Sequence, residues 1–588
     1  MENYEIARTL RETADLMEVA GEQSFRVRSY RKAADVVETC PEPMRGLQSD
    51  PRRLRELPGI GKTMCEHILE LLGSGRLRLH EELLQRFRPG MLELLQVSGL
   101  GPKTAALIWE TYQAGTLDEV EALAKAGKLR DLPRLGAKAE EKILRGIAVY
   151  RELSGRFRRD QIVEVLDLLR PGLLACPGVR QVEAAGSFRR GRDTVGDLDL
   201  LISGDGFPGA AAAVAEYCLH APRLDSVLAQ GENKISIRLH GGLQVDFRML
   251  PPESWGAALQ YFTGSKQHNV TLRARAQQQG YKLNEYGLYR ESDGAAIAGA
   301  DEAGVYAALG LDWVPPELRE DAGEIEAAAA HSLPALVTAA DIRGDIHMHT
   351  TESDGRASIE EMAAAAAACG YQYIAITDHS QALAMANGLD ERRMLEHLLR
   401  IRRAERDFQA SHPGFRILAG VEVDILADGR LDLADEVLAQ LDVVIGSIHS
   451  RFDQSGDETT ARLLRAVDNP HLDILGHPSG RLLLRREAYR YDFEQVLEAC
   501  ARAGVAMEIN ASPERLDLNA AQARRCQQRG VGIVINTDAH HPRHLANIAY
   551  GVSTARRGWL SPADVLNCLP APALLERLRK TVSRPSVP

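Results

Sequence analysis

The spacing of hydrophobic positions changes along the chain and predicts different architectures for different parts. In the first 150 residues, apolar residues recur at helical spacing in short segments broken by glycines, which predicts short amphipathic helices. From about residue 155, strand-length and helical patterns alternate. Beyond residue 341, short apolar strands such as YIAIT, DVVIGSIH and AMEIN alternate with helices, and this spacing predicts βα units that close into a barrel. The chain is therefore expected to be a multidomain α+β protein.

Two of the glycine breaks share one form. LRELPGIGKTMCEHI (54–68) and LLQVSGLGPKTAALI (94–108) each read as a helix, a hydrophobic-Gly-hydrophobic-Gly turn and a second helix. This helix-hairpin-helix pattern lets backbone amides approach a DNA phosphate without reading base sequence. A plain glycine-capped turn is the alternative. A third segment, 129–147, has Arg134 in place of the first glycine and is interpreted as degenerate. The candidate DNA-binding residues are Gly59, Gly61, Lys62, Gly99, Gly101 and Lys103.

Carboxylates alternate in the segment GSFRRGRDTVGDLDLL (186–201). Asp197 and Asp199 should point to one face of a strand, and Asp246 in VDFR can join them from a later strand. Three such acids could hold two Mg²⁺ ions, and the turn at Gly186 and Ser187 could face a phosphate. This arrangement suits in-line displacement at a nucleoside triphosphate. A pair of solvated carboxylates at a strand edge is the alternative.

Nitrogen and oxygen ligands recur at the carboxyl ends of the predicted barrel strands. Such strand ends converge on one mouth, so distant residues can share a cavity. With no thiolate in the set, Mn²⁺, Zn²⁺ or Fe²⁺ is favoured over a structural zinc site, and two or three ions could bind. Structural histidines are the alternative. The candidate ligands are His347, His349, Asp354, His379, Glu422, His449, His477, Asp538 and His540.

Composition narrows the class of protein. The N-terminus is acidic and helix-patterned rather than a secretion signal, and no run of eighteen apolar residues occurs in the 588 residues. Eight scattered cysteines without a CxxC pair fit a reducing compartment, so a cytoplasmic location is expected. Of the net charge of −11, most lies in the C-terminal half. DNA affinity would then depend on local clusters such as Arg156, Arg158 and Arg159.

The segments 186–201, 245–248 and 261–269, which includes YFTGS, resemble the catalytic half of family X DNA polymerases, the group of DNA polymerase beta. The whole chain resembles bacterial members that carry a C-terminal polymerase and histidinol phosphatase (PHP) domain. The resemblance implies a beta-type nucleotidyltransferase palm and a distorted seven-stranded βα barrel. It also implies gap-filling DNA polymerase activity in base excision repair, 3′–5′ exonuclease activity and abasic-site endonuclease activity.

The same resemblance implies roles for individual residues. Asp197, Asp199 and Asp246 would be catalytic and hold Mg²⁺ or Mn²⁺. The other nucleotide-binding residues would be Gly186, Ser187, Arg190, Tyr261, Phe262, Gly264 and Asn269. Gapped or primer-template DNA and deoxynucleoside triphosphates are the expected partners of a monomeric enzyme. One departure concerns the deoxyribose-phosphate lyase reaction, because His67 stands where the family has its Schiff-base lysine and imidazole cannot form an imine. Lys32 and Lys62 are the nearby amines that could substitute, and strong lyase activity is not expected.

The expected order of domains follows from these patterns. A helical lyase-like part with the first hairpin precedes a helical part with the second, then a palm, a nucleotide-selection subdomain, an acidic linker and the PHP domain. The expected bounds are 1–80, 81–154, 155–251, 252–315, 316–340 and 341–580.

Two other functions are compatible with parts of this pattern. An RNA or tRNA nucleotidyltransferase would share the paired aspartates, but the hairpins and YFTGS argue against it. A DNA-binding scaffold with a purely structural barrel is disfavoured by the intact ligand set.

Overall fold

The computed structural model describes residues 3–40, 44–48, 50–57, 59–97, 99–133, 135–153, 155–205 and 209–578. The chain divides into two compact units, Met1–Ser154 and Gly155–Pro588.

The first unit is helical. Its helices bury one apolar core that includes Leu10, Tyr30, Ile68 and Phe87. Short 3₁₀ turns occur at Met44–Leu47 and Leu129–Asp131. The α-helices are α1 (Asn3–Val19), α2 (Ser24–Thr39), α3 (Pro51–Glu56), α4 (Lys62–Ser74), α5 (Arg78–Phe87), α6 (Gly90–Leu94), α7 (Pro102–Tyr112), α8 (Leu117–Lys125) and α9 (Ala137–Leu153).

The second unit begins with a five-stranded mixed sheet of order β2-β4-β7-β6-β5. Strands β4 and β7 run parallel, whereas the other neighbouring pairs are antiparallel. Helices α10 and α12 cover the apolar face of the sheet. The elements are β1 (Phe157–Arg158), α10 (Arg159–Leu174), β2 (Val179–Ala184), α11 (Gly186–Arg189), β3 (Thr194–Val195), β4 (Asp197–Gly204), α12 (Gly209–Leu219), β5 (Leu224–Gln230), β6 (Lys234–Leu239) and β7 (Gln244–Leu250).

A small helical subdomain with a three-stranded antiparallel sheet follows. Leu318, Ile325 and Ala328, from the acidic stretch after residue 315, pack into its core with Tyr306 and Leu272. Short 3₁₀ turns lie at Pro252–Ser254 and Pro316–Leu318. The elements are α13 (Trp255–Thr263), α14 (Lys266–Gln278), β8 (Tyr281–Asn284), β9 (Gly287–Arg290), β10 (Ala296–Ala298), α15 (Glu302–Ala308) and α16 (Glu324–Ala329).

Seven parallel strands in sequence order form the C-terminal barrel. A bridge between Met348 and Ala539 joins the first and last strand regions. The strands are β11 (Gly344–Asp345), β12 (Tyr373–Ile376), β13 (Arg416–Asp424), β14 (Val443–Ser447), β15 (Ile474–Leu475), β16 (Ala506–Asn510) and β17 (Ile533–Asn536).

Helices surround the barrel and bury its outer face in a large apolar core. They are α17 (Ile359–Ala368), α18 (Glu391–Gln409), α19 (Asp435–Leu438), α20 (Gly456–Val467), α21 (Phe493–Ala503), α22 (Ala520–Gln528), α23 (Ile548–Arg557) and α24 (Ala571–Leu578). Short 3₁₀ turns lie at Ala339–Asp341, Ala384–Ala386, Pro542–Asn547, Pro562–Asp564 and Leu566–Cys568.

The predicted fold class is confirmed: helical hairpin domains, a mixed sheet and a nearly closed seven-stranded barrel. The exact domain bounds stay predictions. Within the described ranges, no helix is both long and apolar enough to cross a membrane.

Candidate active sites in the palm and the barrel

The parallel pairing of β4 and β7 brings the palm carboxylates to one place. Asp199 and Asp246 are direct register partners in this pair, and Asp197 lies two residues before Asp199 and so on the same face of the strand. Asp246 is buried, Asp199 is half-buried and Asp197 is exposed. The exposure of the three carboxylates therefore increases from Asp246 through Asp199 to Asp197.

Neighbouring charges act in opposite ways on these acids. Burial, and then the nearby Asp197, raise the pKa of Asp199 to about 6. Burial also acts to raise the pKa of Asp246, but hydrogen bonds from Lys234 and Gln244 outweigh it and lower that pKa. Lys234 Nζ lies 2.8 Å from Asp246 Oδ2, and Gln244 Nε2 donates to Oδ1 at 2.9 Å. Crowded carboxylates that resist joint ionisation suit a bound cation.

Arg248 lies beside two of the acids. Its Nε is 3.7 Å from Asp199 Oδ1 and its Nη2 is 3.7 Å from Asp246 Oδ2. The guanidinium also covers the ring of Phe262 at 4.2 Å from the centroid. Arg248 thus links Phe262 of α13, a predicted nucleotide-binding residue, to the carboxylates.

The turn that precedes the strand requires a glycine. Gly186 has φ +61°, and a Cβ there would lie 2.8 Å from Asp199 Oδ2. The turn continues as α11, so Ser187 lies in its first turn and Arg190 follows its end. Arg190 donates from Nη1 to the carbonyl of Thr263 at 2.5 Å and from Nε to Glu320 at 3.2 Å.

The YFTGS segment forms the end of α13 and the start of α14. Tyr261 and Phe262 pack edge to face at 5.1 Å, and Gly264 ends α13 with φ +67°. Asn269 Nδ2 donates to the carbonyl of Tyr261 at 2.7 Å, and Gln260 donates to Asn269 Oδ1 at 2.7 Å. Asn269 therefore fixes the end of α13 that carries the two aromatic rings.

The barrel brings all nine predicted ligands to one mouth. Eight of them form three groups whose ligand atoms lie within 4.8 Å of one another. The ninth, His477, lies with its Nε2 2.9 Å from Glu422 Oε1. The three groups are His349, Asp354, His379 and His540; His347, His349, Glu422 and Asp538; and His379, Glu422 and His449.

The polar atoms in this cluster are arranged for metal ions. Among the described residues, several buried ligand atoms have no hydrogen-bond partner; they are His347 Nε2, His349 Nδ1, His379 Nδ1, Glu422 Oε2 and His477 Nδ1. Leaving buried polar groups unpaired is costly unless an ion binds them. Despite burial, the surrounding histidines hold the pKa of Glu422 well below its usual range. The donor set therefore fits two or three divalent ions.

In the helical unit, the first two glycine turns have the same backbone. Gly59 and Gly99 have φ +97° and +95°, and Ile60 and Leu100 each donate to the carbonyl three residues earlier at 3.0 Å. Gly61 and Gly101 precede α4 and α7 with no side-chain cap within the described ranges. Apart from Pro102, which has no N–H, the residues that begin both helices are therefore positioned to donate to an outside acceptor.

The third glycine turn closes in the same way. Leu135 donates to the carbonyl of Leu132 at 3.0 Å, directly before α9. Arg134 itself lies outside the described residues.

Arg156, Arg158 and Arg159, which the sequence suggested as a local basic cluster for DNA, each contact other groups of the protein. Arg156 donates to Thr194, and Arg158 pairs with Asp160 and Glu514. Arg159 lies between the rings of Phe188 and Tyr550. These contacts lie within the palm or join the palm to the barrel.

Curated relatives identify the family. The chain is 38% identical over 569 residues to "DNA polymerase/3′-5′ exonuclease PolX" of Bacillus subtilis (strain 168), which covers 96% of this chain and 97% of that protein. The chain belongs to the PolX family. DNA polymerase lambda of Rattus norvegicus is 28% identical over 54% of this chain and 56% of its own length. A "probable phosphatase" of Thermoanaerobacter sp. (strain X514) is 33% identical over 38% of this chain and 89% of its own.

Family profiles agree with this PolX membership. A helix-hairpin-helix domain matches residues 1–77, a SAM-like helix-hairpin-helix tandem 91–148, a DNA polymerase beta thumb 258–320 and a PHP domain 345–512. The tandem profile covers the second and third glycine turns. The predicted resemblance to PHP-bearing family X polymerases is confirmed.

His67, at the position where the Schiff-base lysine was expected, is partly buried and hydrogen-bonded. His67 on α4 lies with its Nδ1 2.8 Å from the hydroxyl of Tyr30, and burial lowers the pKa of this imidazole. The nearby Lys32 side chain packs against Gly59.

Sequence reasoning missed several residues that contact the two candidate sites. Lys234 and Arg248 contact the palm acids, Glu320 contacts Arg190, and Glu508 contacts His347. Only Arg248 carried a signal, because it stands in the same VDFR segment as Asp246. The other contacts depend on long-range register.

Proposed function

We propose that this PolX-family chain fills short gaps in DNA, as in base excision repair, and trims 3′ ends in its barrel. One observation supports the first activity above the others: Asp199 and Asp246 are register partners beside the turn at Gly186. This geometry supports the proposal, because acids that could hold metal ions lie next to amides that could bind a phosphate.

In the palm, Asp197, Asp199 and Asp246 would hold two Mg²⁺ or Mn²⁺ ions. Such ions offset the charge that develops on the transferred phosphoryl group. Arg190 and Ser187 would hold the triphosphate, because a guanidinium can balance charge on the leaving pyrophosphate. Asp246 would accept the proton of the primer 3′-hydroxyl. Tyr261, Phe262 and Gly264 would lie against the sugar of the incoming nucleotide.

In the barrel, the nine histidine and carboxylate ligands would hold Mn²⁺, Zn²⁺ or Fe²⁺. Ions bound there would lower the pKa of water enough to supply hydroxide at neutral pH. Asp354 and His540 are the more exposed ligands, with about a third of each side chain accessible, and so they mark the side open to substrate. A DNA 3′ end or an abasic-site backbone would enter from that side.

The two glycine hairpins would anchor DNA of any sequence through backbone amides, assisted by Lys62 and Lys103. We further propose that the chain acts as a monomer in the cytoplasm, where its eight cysteines would stay reduced.

Extension of a primer across a one-nucleotide gap tests the first activity. The purified chain should add one templated deoxynucleotide with Mg²⁺ or Mn²⁺ and shorten unpaired 3′ ends with Mn²⁺. A matched RNA primer without a template is the control, since a tRNA-type nucleotidyltransferase would extend it. Untemplated extension of RNA, without gap filling, would contradict the proposal.

A further inference from the structure

The barrel contacts the palm at the turn proposed to bind the nucleotide. Gly191, with φ +70°, faces α23 so closely that a Cβ would lie 2.3 Å from Ser553 Oγ. Asp193, farther along the same loop, pairs with Arg481 of the barrel at 2.9 Å. The segment 186–193, which begins with α11, therefore packs against the barrel domain.

Arg557, the last residue of α23, makes the most direct of these contacts. Its Nη1 donates to the carbonyl of Arg190 at 2.6 Å and to Glu320 Oε1 at 3.0 Å. The side chain is only 9% exposed. One guanidinium thus holds both the backbone of Arg190 and the acid that contacts the Arg190 side chain.

Glu320 receives several positive charges at this point. Its Oε1 is 3.2 Å from Arg190 Nε, 3.0 Å from Arg557 Nη1 and 3.8 Å from Arg192 Nη1. Although burial acts to raise it, Arg190 and then Arg557 hold the pKa of Glu320 below its usual range. The carboxylate is therefore charged, and without Arg557 its charge would be balanced by Arg190 and Arg192 alone.

We infer that Arg557 is a positioning residue for nucleotide binding, supplied to the polymerase by the barrel. It fixes the backbone of the Arg190 turn and shares the charge of Glu320, so Arg190 does not have to balance that carboxylate alone and can also bind a triphosphate. This inference rests on the proposed role of Arg190.

The chain offers a matched control one residue away. Arg556 lies on the same helix and pairs with Glu317 at 2.6 Å, an acid of the same connecting segment as Glu320. Its other described contact is the carbonyl of Val337. Arg556→Ala and Arg557→Ala each remove an arginine and an ion pair between α23 and the segment that carries Glu317 and Glu320. Of the two arginines, Arg557 is the one that contacts the backbone of Arg190.

The inference is tested by measuring steady-state gap filling and determining the KM for deoxynucleotide and the kcat separately for each variant. Arg557→Ala should raise KM about tenfold with a smaller change in kcat, the effect expected when a charge-assisted contact is lost. Arg557→Lys should keep most of the affinity, and Arg556→Ala should behave as wild type. Adding Glu320→Gln to Arg557→Ala should return KM toward the wild-type value, because the competing carboxylate is gone. Hydrolysis of 3′ ends should be unchanged throughout.

Arg190→Ala distinguishes a failure of the role inferred for Arg557 from a failure of the nucleotide role proposed for Arg190. If it raises KM while Arg557→Ala does not, the role of Arg557 is wrong and the proposed site stands. If Arg190→Ala itself leaves KM unchanged, the proposed nucleotide role of Arg190 fails. A KM that stays high in the Arg557→Ala, Glu320→Gln chain would contradict charge balance by Arg557.

Discussion

Asp199 occupies a position that disfavours its own charge. It is packed against Gly186 and lies on one sheet face with Asp197 and Asp246. Burial, followed by Asp197, raises its pKa to about 6, against an ordinary value of 3.8. At neutral pH the metal-free protein therefore has to ionise this group at a cost, which a bound cation would remove.

The first prediction follows from that cost. Asp199→Asn should stabilise the metal-free protein at pH 7.5 by up to about 3 kcal/mol, since one pKa unit corresponds to about 1.4 kcal/mol. Because the folded-state pKa is raised, the difference between the proteins should be full above pH 6. It should shrink as the pH falls from about 6 to 4 and be absent below. Melting temperatures in chelator at pH 7.5 and 4 measure it, and equal melting at pH 7.5 would count against the raised pKa.

Glu508 controls the orientation of barrel ligands without being one of the nine. Its Oε1 accepts from His347 Nδ1 at 2.7 Å and from Asn536 at 3.0 Å, and its Oε2 accepts from the amide of His477 at 2.8 Å. The carboxylate is fully buried. It thereby holds Nδ1 of His347 and leaves Nε2 facing the ligand group.

The second prediction concerns this carboxylate. Glu508→Gln places an amide donor against existing donors, so affinity for the barrel metal should fall about 10- to 100-fold, as is typical for such supporting residues. Metal content after dialysis against a weak chelator measures the loss directly. Glu498→Gln, on the exposed face of α21 near Arg529, is the control. Unchanged metal content in Glu508→Gln would show that the orientation of His347 does not depend on Glu508.

At the scale of elements, glycine spacing gave a sound prediction of the two hairpins. Each turn needs a residue with positive φ directly before an uncapped helix start, and glycine adopts that conformation without strain. The same reasoning undervalued the third turn, because Arg134 replaces that glycine while the backbone hydrogen bond from Leu135 is still formed.

The third prediction tests the hairpins as phosphate anchors. Gly99→Val should weaken binding to gapped and intact duplexes of every sequence alike, because φ +95° is strained for any β-branched residue. Lys103→Ala should reduce the dependence of affinity on salt by about one ion. Lys125→Ala, outside both hairpins, is the control. Fluorescence anisotropy measures affinity, and full affinity of a folded Gly99→Val protein would exclude this role.

At the scale of the whole molecule, the sequence predicted ligands better than their supports. The nine barrel residues could be found because each stands at a strand end, and parallel strands in a barrel bring those ends together. Asp197 and Asp199 could be found by their alternation along β4, and Asp246 by the VDFR segment of a later strand. Lys234, Glu320 and Glu508 could not, because their partners depend on strand register and on the packing of the barrel against the palm. In the same packing, Arg158 and Arg159, which had suggested a DNA-binding cluster, contact Glu514 and Tyr550 of the barrel.

The last prediction treats the two centres as independent. Asp246→Ala removes a palm acid and should lower nucleotide addition at least about 10³-fold, as losses of transition-state electrostatics do, while 3′ hydrolysis continues. His349→Ala should do the reverse, because His349 belongs to two of the three barrel ligand groups. His540→Ala, at the open side, should resemble it.

Independence is expected because the palm acids lie on a sheet and the histidines lie at the barrel mouth, each with its own hydrogen-bond partners. Single-turnover gap filling and Mn²⁺-dependent 3′ hydrolysis should be measured on the same preparations, with metal content and melting temperature for each variant. A folded variant that loses both activities would show that one centre depends on the other. Since Arg557 joins the barrel to the turn proposed to bind the nucleotide, such coupling should appear in nucleotide KM before it appears in either rate.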